Sequence, residues 1–370
     1  MPELLKNIYN SEFLHRFSEK VQAAYPAFDK EDFMAAVLDH LWDELALMAR
    51  MRWITEMLGK YLPKRYEDAL AVLFAIDEDC VGFPYLFFPD FVATCGRAEE
   101  HWALSMTALE RFTVRSSSEF AVRPFLLQDP LRMIEQMEEW ARHPNEHVRR
   151  LASEGCRPRL PWGQSLPVFK RDPAPVLRVL ELLKADPSLY VRKSVANNLN
   201  DIAKDHPAIV LETARRWKGV NPYTDWIVRQ GCRTLLRKAE PEAMALFGYD
   251  EGTDATPLAA DASLAVEPSA VPIGGNCELC YELWIREGEP VHVRVEYGIH
   301  FVKAGGRTTQ KKFLLTDKTV PGGTKISGRR THSWAELTTR RHYPGEHRIV
   351  LLVNGHEAAY AVMILTSIQP

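Results

Sequence analysis

Three acids and one indole stand out because of where they fall: Glu119, Glu154, Asp201 and Trp162. In LYVRKSVANNLNDIAK, the residues Lys193, Asn197, Asp201 and Lys204 follow at helical steps, so they share one face, while Val191, Val195, Leu199 and Ile202 form another. In the preceding helical stretch, EHVRRLASEG, Arg150 and Glu154 occupy the positions that match Lys193 and Asn197. Carboxylates on a basic face oppose the binding of a polyanion, so they require another reason. One reason is structural: Glu154 pairs with Arg150 across a helical turn. The other is chemical: fixed carboxylates stabilise a developing cation and orient a water molecule. Trp162, in CRPRLPWGQS, sits on a connection between prolines and a glycine rather than on a periodic apolar face. An exposed indole there suits a cationic heterocycle; an indole capping the core is the alternative. Glu119, in SSSEFAVRPFL, reads alternatively as the acid of a capping box with Ser116.

The elements that position these residues repeat along the chain. Val148-Arg149-Arg150 returns 43 residues later as Val191-Arg192-Lys193 and after 37 more as Val228-Arg229-Gln230. Each copy follows a helix and a turn with proline, and a two-helix unit with a period near 40 predicts a HEAT-like helical-repeat solenoid. Matched positions of stacked units form a stripe, here Arg149, Arg150, Arg192, Lys193 and Arg229, at a spacing that suits a phosphate backbone. The charge distribution agrees. The chain has a net charge of −3, yet residues 141–240 carry +9 against −10 for residues 1–140.

Before the repeats, residues 3–110 read as helices: Asp29 is a good N-cap and Pro63 a stop, while VGFPYLFFPDF reads as a buried connection. After them, residues 250–271 carry acids and no bases, are rich in Ala and Pro, and predict a linker between a repeat domain over 1–249 and a second domain over 272–370. Short alternating runs in that second domain, YELWI, VHVRVEYGI, HRIVLLV and AAYAVMIL, predict a small immunoglobulin-like β-sandwich. The fold class is therefore mainly α with a C-terminal β domain. Basic stretches in the sandwich place Lys311, Arg329 and Arg330 as further phosphate contacts, or as the lysine-protected edge of a sheet. No apolar run is long enough to cross a membrane, and the start, MPELLKNIYNSEF, lacks the pattern of a signal peptide. A cytoplasmic monomer is expected. The six cysteines are too sparse for a disulfide framework, and Cys277-Glu-Leu-Cys280 alone is half of a zinc motif, so no metal or cofactor is expected.

The segments SSSEFAVRPFL, HPNEHVRRLASEGCRPRLPW and DPSLYVRKSVANNLNDIAKDHP together resemble the AlkC branch of the AlkC/AlkD-like DNA alkylation-repair glycosylases. The likeness covers roughly residues 1–245, and members of that branch can carry an immunoglobulin-like C-terminal domain. The resemblance implies a concave helical-repeat surface that grips double-stranded DNA containing alkylated bases. It also implies hydrolytic release of 3-methyladenine and 3-methylcytosine with neither a lyase step nor a metal. Trp162, Asp201, Glu154, Glu119 and Arg150 become the active-site candidates. The separate roles expected are Asp201 for the water and the sugar cation, Glu154 and Glu119 in support, Trp162 against the lesion and Arg150 on a neighbouring phosphate. The rival from another class is a non-catalytic repeat scaffold that binds nucleic acid or protein.

Overall fold

The computed structural model describes residues 5–39, 41–249, 257–337 and 340–367. The chain divides into two compact units, Met1–Gly231 and Cys232–Pro370.

The first unit opens with five helices: α1 (Ser11–Ala24), α2 (Lys30–Val37), α3 (Leu47–Tyr61), α4 (Tyr66–Ile76) and α5 (Phe87–Cys95). Asp29 caps α2 by accepting from the Asp32 amide at 2.9 Å. The segment expected as a buried connection is a 3-10 turn (Phe83–Tyr85) that runs into helix α5. Its Pro89 falls in the first turn, where backbone amides have no helical partner to lose. There follow α6 (Trp102–Arg115), α7 (Val122–Gln128), α8 (Pro130–Trp140), α9 (Glu146–Gly155), α10 (Pro167–Arg171), α11 (Ala174–Leu183), α12 (Leu189–Ile202), α13 (Pro207–Trp217) and α14 (Pro222–Gly231).

The pairs α8/α9, α11/α12 and α13/α14 are the three repeats, and α12 packs between α9 and α14. Each second helix starts at a polar cap: Asn145, Ser188 and Asn221 accept from the amides of His147, Tyr190 and Tyr223. Val148, Leu151, Val191, Val195, Leu199, Ile227 and Val228 are buried along the row, each contributing about 1.5–3 kcal/mol of apolar burial. Small residues bring α9 and α12 close, with Ser153 and Ser194 sharing a hydroxyl contact at 2.6 Å. Gly155 closes α9 because a β-carbon there would meet Val122 Cγ2 at 2.6 Å.

Counting from the caps corrects the stripe. Arg149 and Arg192 each stand four residues beyond their cap, but Arg229 stands eight beyond Asn221, one turn further along its helix. The third Val-Arg pair is thus out of register with the other two.

The second unit starts with two short helices, α15 (Arg233–Lys238) and α16 (Pro241–Leu246). Among the described residues eight strands follow: β1 (Ala259–Glu267), β2 (Ala270–Pro272), β3 (Asn276–Ile285), β4 (Val291–Val302), β5 (Thr308–Val320), β6 (Lys325–Ser333), β7 (Gly345–Val353) and β8 (His356–Thr366). They form a three-stranded sheet, β1-β3-β6, and a five-stranded sheet, β2-β8-β7-β4-β5. The apolar clusters around Trp334, Ile299 and Met363 and around Leu283, Val293 and Leu351 are joined by Leu264 and Leu315, which pack against both. Asn354-Gly355, both at positive φ, make the tight turn between β7 and β8.

Two boundaries differ from the sequence expectation. The unit begins at Cys232 rather than after 249, since the Tyr249 hydroxyl reaches Asp317 at 2.8 Å and its ring lies against His292. Much of the expected linker is strand: β1 pairs antiparallel with β3 from Ala259↔Ile285 to Glu267↔Glu278. Its alternation was hidden because the outward positions hold small residues and acids while Val266 turns inward. Residues 250–256 of the linker lie outside the described residues.

Candidate active site

The three acids and the indole converge in the first unit, through one charge network. Glu119 lies on the stretch between α6 and α7, Glu154 in the last turn of α9, and Asp201 in the last turn of α12. A cleft of about 280 Å³ is lined by Glu119, Glu154, Arg157 and Trp162, with Phe83 and Leu86 on its apolar side. Asp201 is 2 % exposed and lies behind that lining. It is tied to the cleft by Arg157, whose Nε and Nη2 both reach Asp201 Oδ2 at 2.8 Å while Nη1 reaches Glu154 Oε1 at 2.6 Å. Lys204 takes the other Asp201 oxygen at 2.8 Å. Arg150 bonds Glu119 and stands 3.6 Å from Glu154. The chain Glu119–Arg150–Glu154–Arg157–Asp201–Lys204 therefore alternates in sign, three carboxylates against three cations.

Burial opposes the charge on Arg150, but the Glu119 and Glu154 carboxylates outweigh it and hold its pKa above the ordinary value. For Arg157 burial likewise opposes the charge, and Glu154 and Asp201 outweigh it. At neutral pH both guanidinium groups are cationic, so the buried acids keep charged partners.

The structural alternatives resolve individually. The Glu154–Arg150 pairing across one turn is present, within the larger network. The capping box is not. Ser117, rather than Ser116, bonds Glu119 at 2.9 Å, and α7 starts three residues later with no side-chain cap. Trp162 does not cap the core: it is 68 % exposed, with φ of 63°. That left-handed backbone costs a bulky residue on the order of 1–3 kcal/mol. The connection is held by Arg123, a fully buried residue of α7. Its guanidinium donates to the carbonyls of Gln164, Gly155 (2.9 Å) and Arg157 (3.0 Å). Burial pushes the Arg123 pKa down to about 10, which leaves it cationic at neutral pH.

Residues 105–234 match the family described as DNA alkylation repair enzyme, and residues 260–367 match the C-terminal Ig-like domain of the uncharacterised protein YhaZ. The uncharacterised protein YhaZ of Bacillus subtilis (strain 168) is 46% identical over 351 residues, 95% of this chain and 96% of that one. The Pseudomonas fluorescens alkylpurine DNA glycosylase AlkC, solved bound to DNA containing an abasic site analog, superposes with a TM-score of 0.92. It is 39% identical, with 98% of this chain and 100% of that chain covered. The chain belongs to the AlkC family of DNA alkylation-repair glycosylases.

For an AlkC-family chain, the basic stripe is more divided than its sequence implies. Arg149 is committed within the repeats: it pairs with Asp186 at 2.7 Å and donates to the carbonyls of His143 and Pro144. Arg192 repeats the motif on the carbonyls of Asp186 and Pro187. These two arginines brace the proline turns between helices, which is why they recur at the same place. Lys193 is exposed on α12 and Arg229 half-buried on α14. In the strand-rich unit Lys311 is exposed on β5, and Arg329 and Arg330 are exposed on β6, where Arg329 meets Glu278 at 3.2 Å. Cys277 and Cys280 do not converge. Three residues apart on β3 they face opposite sides of the sheet, Cys277 buried against Trp334 and Cys280 outward.

Arg157 and Arg123 were not among the residues the sequence singled out. The sequence signal for Arg157 was its i, i+3 spacing from Glu154 in EGCRPR; its link to Asp201 arises only when α9 and α12 pack side by side. Among the described residues no helix is long and apolar enough to cross a membrane.

Proposed function

We propose that this glycosylase hydrolyses the N-glycosidic bond of cationic N-alkylated bases, 3-methyladenine and 3-methylcytosine, in duplex DNA, acting as a monomer without a lyase step, metal or cofactor. The observation that carries the reading is the exposed indole of Trp162 on the same cleft as Glu119 and Glu154, with Asp201 linked through Arg157. A base methylated at N3 already bears positive charge, so its departure requires no protonation. The remaining need is to stabilise positive charge on the deoxyribose and to deliver water, and fixed carboxylates serve both. In this reading Asp201 orients the water and faces the sugar cation. Glu154 and Glu119 add negative potential, and Trp162 lies against the cationic base.

Arg150 turns from Glu119 to a phosphate next to the lesion, and that exchange frees one carboxylate where the cation forms. Lys193, Arg229, Lys311, Arg329 and Arg330 supply phosphate contacts along the duplex. The Pseudomonas fluorescens relative was solved bound to DNA containing an abasic site analog, a stand-in for the product of such a reaction, and this supports a DNA partner here. Domains over 1–231 and 232–370 fit the two compact units better than a boundary at 249.

The test is incubation of the purified protein with N-methylated duplex DNA in the presence of a chelator. Free 3-methyladenine and 3-methylcytosine should appear, and the strand should stay intact until alkali cleaves it. Absence of base release, or strand cleavage without alkali, overturns the corresponding part of the proposal.

A further inference from the structure

The second helices of the three repeats share a feature outside the charge network. Two residues beyond the caps Asn145, Ser188 and Asn221 stand three rings, His147, Tyr190 and Tyr223. Tyr190 is 41 % exposed and Tyr223 43 %, which is uncommon for residues at matched positions in a packed row. His147 meets Tyr190 edge to face at a centroid distance of 5.6 Å. Each tyrosine is backed by a guanidinium from the preceding repeat: Arg150 lies 4.9 Å from the Tyr190 ring centroid and Arg192 4.1 Å from that of Tyr223. The cap oxygens already take first-turn amides, so what these helix starts present outward is ring surface. The row begins beside the site, because the same Arg150 bonds Glu119.

We infer that His147, Tyr190 and Tyr223 form an aromatic track along which one DNA strand runs from the carboxylate cleft, with the deoxyribose C–H faces on the rings. Inside a duplex the base faces are covered by their neighbours. The apolar surface a strand offers sideways is therefore its sugar. Arg192, held behind the Tyr223 ring, places positive potential beneath the same strand without requiring a direct ion pair, while Arg150, behind Tyr190, is the guanidinium that takes the phosphate next to the lesion. Such contacts are insensitive to sequence and, unlike phosphate pairs, insensitive to salt. Tyr190 and Tyr223 are thus positioning residues: they hold the lesion strand in line with Trp162 and the acids. The inference rests on the duplex-DNA reading above.

Tyr190→Leu and Tyr223→Leu should each weaken binding to duplex about fivefold, the scale for some tens of Å² of apolar contact. The slope of log K against log salt should stay that of the parent, and Tyr→Phe at either position should restore affinity. A second arm needs no variant. Tetranitromethane nitration of the parent, mapped by mass spectrometry, should be blocked by duplex DNA at Tyr190 and Tyr223 and unchanged at Tyr25. Leucine variants that bind as the parent does, or nitration of both tyrosines unaffected by DNA, overturn the track. The glycosylase reading fails separately, if the parent releases no methylated base; the binding and nitration arms then still decide the track.

Discussion

The acid cleft of the repeat unit and the aromatic core of the β unit both bury titratable groups, and they treat them in opposite ways. In the cleft Glu154 and Asp201 each have a cationic partner within hydrogen-bond reach, and Arg157 between them stays cationic inside the protein. In the β unit His332, His342 and His347 surround Trp334 and Phe301, and burial lowers the pKa of all three. For His332 it falls to about 4, with Arg340, His342, Lys311 and Arg330 adding to the burial effect. One region supplies its buried charges with opposite partners. The other discards charge to make a core. Burial alone does not mark a functional site, and neither does a buried ion pair, since Arg294–Glu296 in the β unit and Arg149–Asp186 at a proline turn are buried and paired too; what sets the cleft apart is a network of three acids beside an open cavity lined by an exposed indole.

The largest test of that contrast removes a charge from the cleft. Asp201→Asn should cut single-turnover excision of 3-methyladenine by about a thousandfold while leaving duplex affinity near that of the parent. An unchanged single-turnover rate means that Asp201 has no part in the chemistry. Removing the bridging cation should act on fold and chemistry together. Arg157→Met leaves Glu154 without its closest partner and Asp201 with Lys204 alone. The expected loss is about 3–5 kcal/mol of stability by urea unfolding, together with a slower single-turnover excision rate. Arg157→Lys should recover part of both. A Met variant as stable as the parent would show that the buried acids do not depend on this arginine.

The histidine core is tested through pH alone. His332 is neutral in the fold, whereas the unfolded chain takes up its proton near pH 6.5, so below that the unfolded state binds more protons. Stability should therefore be complete above about pH 6.5 and decline toward pH 4, by roughly 3 kcal/mol for a shift of this size. Urea midpoints of the full-length protein at neutral pH and at about pH 4.5 measure it, and His332→Phe should flatten the decline. Equal slopes in parent and variant would assign the acid sensitivity elsewhere.

The smallest contrast lies within the stripe. Arg149→Ala should lower stability by about 1–3 kcal/mol with an unchanged salt slope, since it braces a turn. Lys193→Ala should leave stability alone and make the salt slope shallower by about one. Reversal of the two results would restore Arg149 to the DNA.

What was legible in the sequence is what depends on local periodicity. The Val-Arg recurrence located the repeats, and alternation located most strands. Glu119, Glu154, Asp201 and Trp162 were singled out from charge type, position and likeness; Glu119, Glu154 and Trp162 line one cleft, and Asp201 is tied to it through Arg157. Three things were not legible, each for a tertiary reason. Arg157 lies beyond the end of α9, and its spacing from Glu154 gives no hint of the link to Asp201, which comes only from the packing of α12. The recurrence of Arg149 and Arg192 looked like a surface motif, but identical turns require identical braces. β1 escaped notice because its outward positions carry alanine, serine and acids that read as linker composition.

The left-handed backbone of Trp162 bears on how this position tolerates change. Glycine is the residue that fits a φ of 63° without strain, and it is the residue that removes the indole altogether. On the role proposed for Trp162, fold and activity therefore pull in opposite directions at a single codon. In a library randomised at 162, selection for thermal resistance should enrich glycine and asparagine, which accept this conformation, whereas selection for survival under methylating stress should return tryptophan. A population that must satisfy both has no intermediate residue to settle on, and the strain persists as a fixed cost of the chemistry.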